Sequence, residues 1–221
     1  MAVQLNLPVQ MMTLGLQDCR IWDCSRAIRS AALTLFVVGV GLPAHAHESS
    51  SHNLSGGFVD GFIHPLLGAD HVSAMVAVGI WGAILGRPLI WILPLAFPMA
   101  MALGGAYGVF GFYLPWIEPG IAISSIVIGL AILSGWRASI SVASAVVAVF
   151  AVFHGYAHGI ELPHAANAST FAMGFVTSTG LLHIAGIAFG LLKSHPWGGT
   201  ALRVAGAAIA VAGGAFLFQL V

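Results

Sequence analysis

Most of this chain alternates long apolar stretches with short breaks marked by glycine, proline or charge. Six such stretches run approximately over 65–85, 89–110, 116–136, 140–159, 170–192 and 201–221. Each is near the ~20 residues that a helix needs to cross the hydrocarbon core of a bilayer. The breaks are Gly86-Arg87-Pro88, Leu114-Pro115, Gly135-Trp136-Arg137, Leu162-Pro163 and Lys193-Ser194-His195-Pro196. They leave no room for a second domain or a long linker. The pattern predicts an all-α polytopic membrane protein, a bundle of six transmembrane helices.

Upstream the pattern changes. Arg20, Arg26 and Arg29 precede a short apolar run at 31–42, and Pro43-Ala44-His45-Ala46 then offers an A-x-A cleavage site. This is the layout of a secretory signal peptide, and the run is too short to span a bilayer. The expected organisation is a cleavable signal peptide over 1–46 and a six-helix transmembrane transport domain over 47–221, the alternative being an uncleaved first anchor. The leader is long, which points to an extended leader or a start codon placed upstream. Cleavage after Ala46 gives a mature chain beginning His47-Glu48-Ser49 and reaching His52. A free amine beside an imidazole chelates Cu(II) or Ni(II), so His47 and His52 are candidates for N-terminal metal capture. A polar tail that happens to contain histidine is the alternative.

Cleavage also implies a topology. The mature N-terminus lies outside, and six spans return the C-terminus outside. Arg87, Arg137, Lys193 and Arg203 then all fall at inside ends, while Glu48, Asp60, Glu118 and Glu161 fall outside or at outer ends. The positive-inside rule is obeyed by every basic residue of the mature chain. The expected location is the bacterial inner membrane, with both mature termini periplasmic.

Composition supports the same class. The chain is 59% hydrophobic and 6% charged, with mean hydropathy +0.98, against about 25% charged residues in soluble domains. Net charge is zero with no basic run, which removes the electrostatic footprint of nucleic-acid binding. The two cysteines, Cys19 and Cys24, precede the spans, so neither a disulfide framework nor a thiolate metal site belongs to the body of the protein. No G-x-x-x-x-G-K-[ST] occurs, and no ATPase function or subunit is evident.

The ten histidines carry most of the remaining information. An ionisable side chain at mid-membrane costs about 2.5–3.5 kcal/mol on insertion scales, so such residues are functional candidates. One cluster is His64-Pro65-Leu66-Leu67-Gly68-Ala69-Asp70-His71. Pro65 suits the first turn of a helix. That places His64 at the helix mouth, and His71 two turns deeper on nearly the same face. Asp70 is either a ligand or the partner that orients an imidazole. The other cluster is Phe153-His154-Gly155-Tyr156-Ala157-His158-Gly159-Ile160-Glu161, in which His154, His158 and Glu161 form one stripe. Gly155 and Gly159 permit close approach of another helix. His71 and His154 fall about 9–10 Å inside their outer helix ends, at matched depth. Two imidazoles and a carboxylate suit nickel, cobalt, zinc or copper rather than calcium. His183, preceded by Thr177, Ser178 and Thr179, is a candidate for a polar pathway. Glu118 is a cation funnel or a ligand, the alternative being an ordinary interfacial acid. His195 reads as solvated and His164 as part of an outer loop. The tryptophans read mostly as interfacial anchors, and Gly104-Gly105 and Gly213-Gly214 as packing positions.

At these residues the chain resembles the HupE/UreJ family of nickel permeases. The likeness rests on H-P-x-x-G-x-D-H from His64 to His71 and F-H-G-x-A-H-G-x-E from Phe153 to Glu161. Related nickel–cobalt transporters carry one residue fewer between the His and the Asp. The resemblance implies secondary transport of Ni²⁺ for hydrogenase or urease maturation, with Co²⁺ open as the substrate. It implies roles for His64, Asp70, His71, His154, His158 and Glu161 in handling the metal, and secondarily for Phe97 and Glu118. The metal is then a transported substrate rather than a resident cofactor, and the chain is not an enzyme. Two other classes remain in view, an intramembrane metalloenzyme and a metal sensor without transport.

Overall fold

The structure is a computed structural model and describes residues 57–161 and 167–218. The leader at 1–46, His47, His52, His164 and the last residues of the sixth stretch lie outside the described residues. Within them every regular element is helical: α1 (Phe58–Leu67), α2 (Ala69–Leu85), α3 (Leu89–Val109), α4 (Ile117–Ser134), α5 (Ile140–Glu161), α6 (Ala168–Gly190), a short 3-10 turn (Leu191–Ser194) and α7 (Gly198–Leu217). Helices α3 to α7, with the 3-10 turn continuing α6, are each long and apolar enough to cross a membrane, and the bent pair α1–α2 makes a sixth span if taken as one. The chain is a polytopic helical membrane protein.

The first span departs from expectation. The sequence predicts one helix starting at Pro65, with His64 at its mouth. Instead Pro65 lies inside α1, and the chain turns by 86° between α1 and α2. Gly68 makes the turn in an extended conformation (φ −90°, ψ 109°), and its carbonyl accepts the first hydrogen bond of α2 from Val72 N–H at 3.0 Å. His64 and His71 therefore do not share a helix face, and His64 arrives from a separate segment.

Small residues set the register of the bundle. A Cβ on Gly155 would run into the Met101 carbonyl, and one on Gly159 into that of Gly105. Matching increments on both helices make α3 and α5 a parallel pair, as two spans crossing in the same direction must be. In the same way Gly79 and Gly186 bring α2 against α6, while Gly129 and Gly206 bring α4 against α7. Lipid is as apolar as the side chains, so backbone proximity and dispersion rather than hydrophobic burial hold such pairs together. Gly104 and Gly213 also lie against backbone, but a Cβ on Gly214 would meet nothing within 4 Å, so Gly214 is no close-packing position here.

The two ends of the bundle differ in chemistry. Gly86 (φ 82°) and Gly135 (φ 67°) close α2 and α4 at the end that carries Arg87 and Arg137, left-handed positions that suit glycine. At this basic end the Lys193 ammonium donates to the carbonyls of Ala83 and Ile84, two of the acceptors left over in the last turn of α2. Against the general expectation of interfacial anchors, Trp81 is fully buried. Its indole donates to the Trp136 carbonyl at 3.2 Å and stacks on the Trp136 ring at 5.7 Å. Asp60, Glu118 and Glu161 lie toward the opposite, acidic end.

Candidate metal centre

Helix α5 supplies the backbone of the site. One stripe presents His154, His158 and Glu161, and a neighbouring stripe presents Gly155 and Gly159 to α3. The glycines let α3 approach so closely that this turn of α5, and with it both imidazoles, is fixed in position.

At the acidic end the stripe meets α1. His64 Nε2 lies 3.1 Å from His158 Nδ1 and 3.3 Å from Glu161 Oε2, and His158 Nδ1 lies 3.8 Å from Glu161 Oε2. These three ligand atoms all fall within 4.8 Å of one another, a spacing that can hold a metal ion. Phe171 and Phe175 of α6 wall the group: Phe171 lies 5.5 Å from the His64 ring, and Phe175 lies 4.5 Å from the His158 ring.

A second layer lies directly beneath. The His71 ring is 4.5 Å from His158 and 4.8 Å from His154. Asp70 Oδ1 accepts the His71 backbone N–H at 2.9 Å and lies 3.0 Å from His71 Nδ1. A carboxylate only accepts, so Nδ1 carries the proton and Nε2 presents its lone pair. On the other side, the Ser124 hydroxyl donates to the Ile121 carbonyl. With its single proton so used, Ser124 Oγ accepts from His154 Nε2–H at 3.0 Å, which leaves the lone pair on His154 Nδ1. His71 Nε2, His154 Nδ1 and His158 Nε2 are all buried, and none has a hydrogen-bond partner among the described residues. Two imidazoles are thus held in the tautomer that exposes a ligand nitrogen, each by a neighbour that fixes the ring from behind.

The clusters read as separate in the sequence therefore form one body. His64 joins His158 and Glu161, and Asp70 and His71 join His154. Glu118 is exposed in the first turn of α4. Phe97 touches both His154, at 5.6 Å, and the buried His183, at 5.3 Å. Of the hydroxyls before His183, Ser178 and Thr179 are buried, but Thr177 is exposed and donates to the Met173 carbonyl within its own helix, so it lines no interior path. His195 is exposed and stacks on Trp197. Sequence reasoning missed Ser124, Phe171 and Phe175. The Ser124-Ser125 pair inside an apolar stretch was a signal for the first, whereas nothing local marks the phenylalanines.

The HupE / UreJ protein family matches residues 35–216. Protein HupE of Rhizobium leguminosarum bv. viciae is 39% identical over 190 residues, covering 86% of this chain and 99% of that protein. No solved structure matches. With the family match running from the apolar run at 31–42 through nearly all of α7, and both histidine motifs inside it, the chain belongs to the HupE/UreJ family.

Proposed function

We propose that the chain is a secondary transporter importing a divalent transition metal, Ni²⁺ first and Co²⁺ as the alternative, across the bacterial inner membrane. The metal would serve hydrogenase or urease maturation. The observation that carries this reading is the paired tautomer geometry. His71 Nε2 and His154 Nδ1 are buried ring nitrogens with lone pairs and no donor among the described residues, each oriented by Asp70 or Ser124. Burying a polar nitrogen with no hydrogen bond costs about 1–3 kcal/mol. A borderline cation repays that cost, since neutral imidazole is its preferred nitrogen ligand.

Charge supports the same conclusion. Among the described residues, Asp70 and Glu161 are the two carboxylates within the cluster. When ionised they neutralise one divalent cation in a low-dielectric interior, where an uncompensated charge is costly. Glu118 adds a negative field at the acidic end. The ion first meets His64, His158 and Glu161 and sheds water there. The His158 ring lies 4.5 Å from that of His71, so His158 hands the ion to His71 and His154. Movement toward the basic end follows the membrane potential, worth about 2.3 kcal/mol per charge per 100 mV.

The reading is tested by ⁶³Ni²⁺ uptake into cells lacking other nickel importers. Wild-type chain restores uptake, and His71→Ala and His158→Ala variants present at equal membrane abundance do not. Uptake that persists in both variants removes the cluster from the transport path. Stoichiometric metal binding without uptake by the wild type assigns the chain to a sensor or enzyme instead.

A further inference from the structure

The outer cluster accounts for four histidines, His64, His71, His154 and His158, but not for His183. This residue sits on α6, buried at 1% exposure, and neither of its ring nitrogens has a hydrogen-bond partner among the described residues. The Thr179 and Ser178 hydroxyls, one turn back toward the acidic end, are likewise buried with unpartnered oxygens. Thr179 and His183 are four residues apart and so lie on one face of α6. Phe175, four residues earlier again on that face, contacts His158. The face therefore leads from the outer cluster inward, and His183 lies about 12 Å beyond Phe175 along the helix.

We propose that His183, with the Thr179 oxygen, forms a second, inner metal-binding position that the ion occupies after leaving the outer cluster, the two being divided by the Phe97 ring. Phe97 is fully buried and touches an imidazole on each side, His154 and His183. An aromatic ring between two ligand positions blocks continuous hydration, so ions pass singly when it moves. The ligand sets also differ in charge. All described acids lie at or near the acidic end, Asp60, Asp70, Glu118 and Glu161, so no described carboxylate compensates a cation at His183. Such a position binds weakly and releases readily, as the inner stage of a transport path requires.

This inference rests on the transport reading. Its test uses the full chain, carrying Cys19→Ser and Cys24→Ser, in proteoliposomes with a metal-sensing dye inside. Ni²⁺ and Cd²⁺ flux are measured beside equilibrium ⁶³Ni²⁺ binding in detergent. His183→Leu is expected to lower Ni²⁺ flux by about tenfold or more while equilibrium binding stays within roughly twofold, because the outer ligands are intact. His183→Cys is expected to recover flux and to raise the Cd²⁺:Ni²⁺ flux ratio by about fivefold or more, because a thiolate selects softer ions. A merely structural histidine would not move that ratio. The inference is overturned by wild-type flux in His183→Leu, or by binding in that variant as weak as in His158→Ala. It is also overturned if His183→Cys keeps the wild-type ratio or passes neither metal faster than His183→Leu. Absence of any metal flux in the wild type overturns the transport reading itself and this inference with it.

Discussion

His64 Nε2 and His158 Nδ1 lie 3.1 Å apart although 94 positions separate them in the chain. The contact depends on the 86° turn between α1 and α2, which brings His64 to the end of α5. His64→Ala removes one of three converging ligand atoms and leaves His158 and Glu161 in place. The apparent Km for Ni²⁺ uptake should rise by roughly tenfold, the effect of losing about 1.4 kcal/mol of binding, with a smaller fall in maximal rate. Initial-rate ⁶³Ni²⁺ uptake against concentration measures this, and an unchanged Km contradicts a role for His64 in capture.

Asp70 fixes His71 through both the backbone and the ring. Asp70→Asn keeps the size and removes the charge that holds the proton on Nδ1. Ni²⁺ binding to the purified protein should weaken by about 10–100-fold, as when a ligand histidine loses its orienting carboxylate. Helical circular dichroism should be unchanged. Binding at the wild-type level would mean that Asp70 neither orients His71 nor compensates the ion.

On the opposite side, Ser124→Ala deletes the acceptor for His154 Nε2–H. The proton is then free to move to Nδ1, which closes the ligand position, or to remain unsatisfied at about 1–3 kcal/mol. Ni²⁺ flux should fall by roughly tenfold, with Ser124→Cys intermediate because sulfur accepts weakly. Equal flux in all three proteins would show that the His154 tautomer is not controlled from this side.

The helix contact behind the imidazoles can be tested separately from their chemistry. Gly155→Val puts side-chain atoms where the Met101 carbonyl lies, so α3 and α5 must separate and His154 and His158 must shift with them. Flux should drop below about a tenth of wild type, since misplacement of about 1 Å at a site costs on the order of a hundredfold. Gly214→Val is the matched comparison: no atom lies within 4 Å of a Cβ there, and transport should be unaffected. Similar losses in both would point to a general cost of valine in a span.

The parts legible in the sequence were those that depend on one helix at a time. The stretches at 89–110 and 140–159 match α3 and α5 to within a few residues, because lipid fixes how long an apolar helix must be. The stripe of His154, His158 and Glu161 follows from helical spacing and survives in the structure. The break at Gly68 was not legible, since the run Pro65-Leu66-Leu67-Gly68-Ala69 stays apolar through the turn and hydropathy carries no direction. Trp81 is hidden for a related reason: nearness to a span end suggests an anchor, and only Trp136, just past the end of α4, makes it core. Ser124 behind His154, and Phe171 and Phe175 beside His64 and His158, are likewise tertiary facts with no local period.

Metal flux through the purified chain in proteoliposomes bears most directly on the central claim, that this histidine and carboxylate cluster carries a divalent metal across the bilayer. With Ni²⁺, Co²⁺ and Zn²⁺ supplied outside and an inward-negative potential imposed, wild-type vesicles should accumulate Ni²⁺ or Co²⁺ well above protein-free vesicles, while His158→Ala vesicles should not. Wild-type vesicles that take up none of the three metals faster than protein-free vesicles, although the protein is folded and inserted, would contradict it.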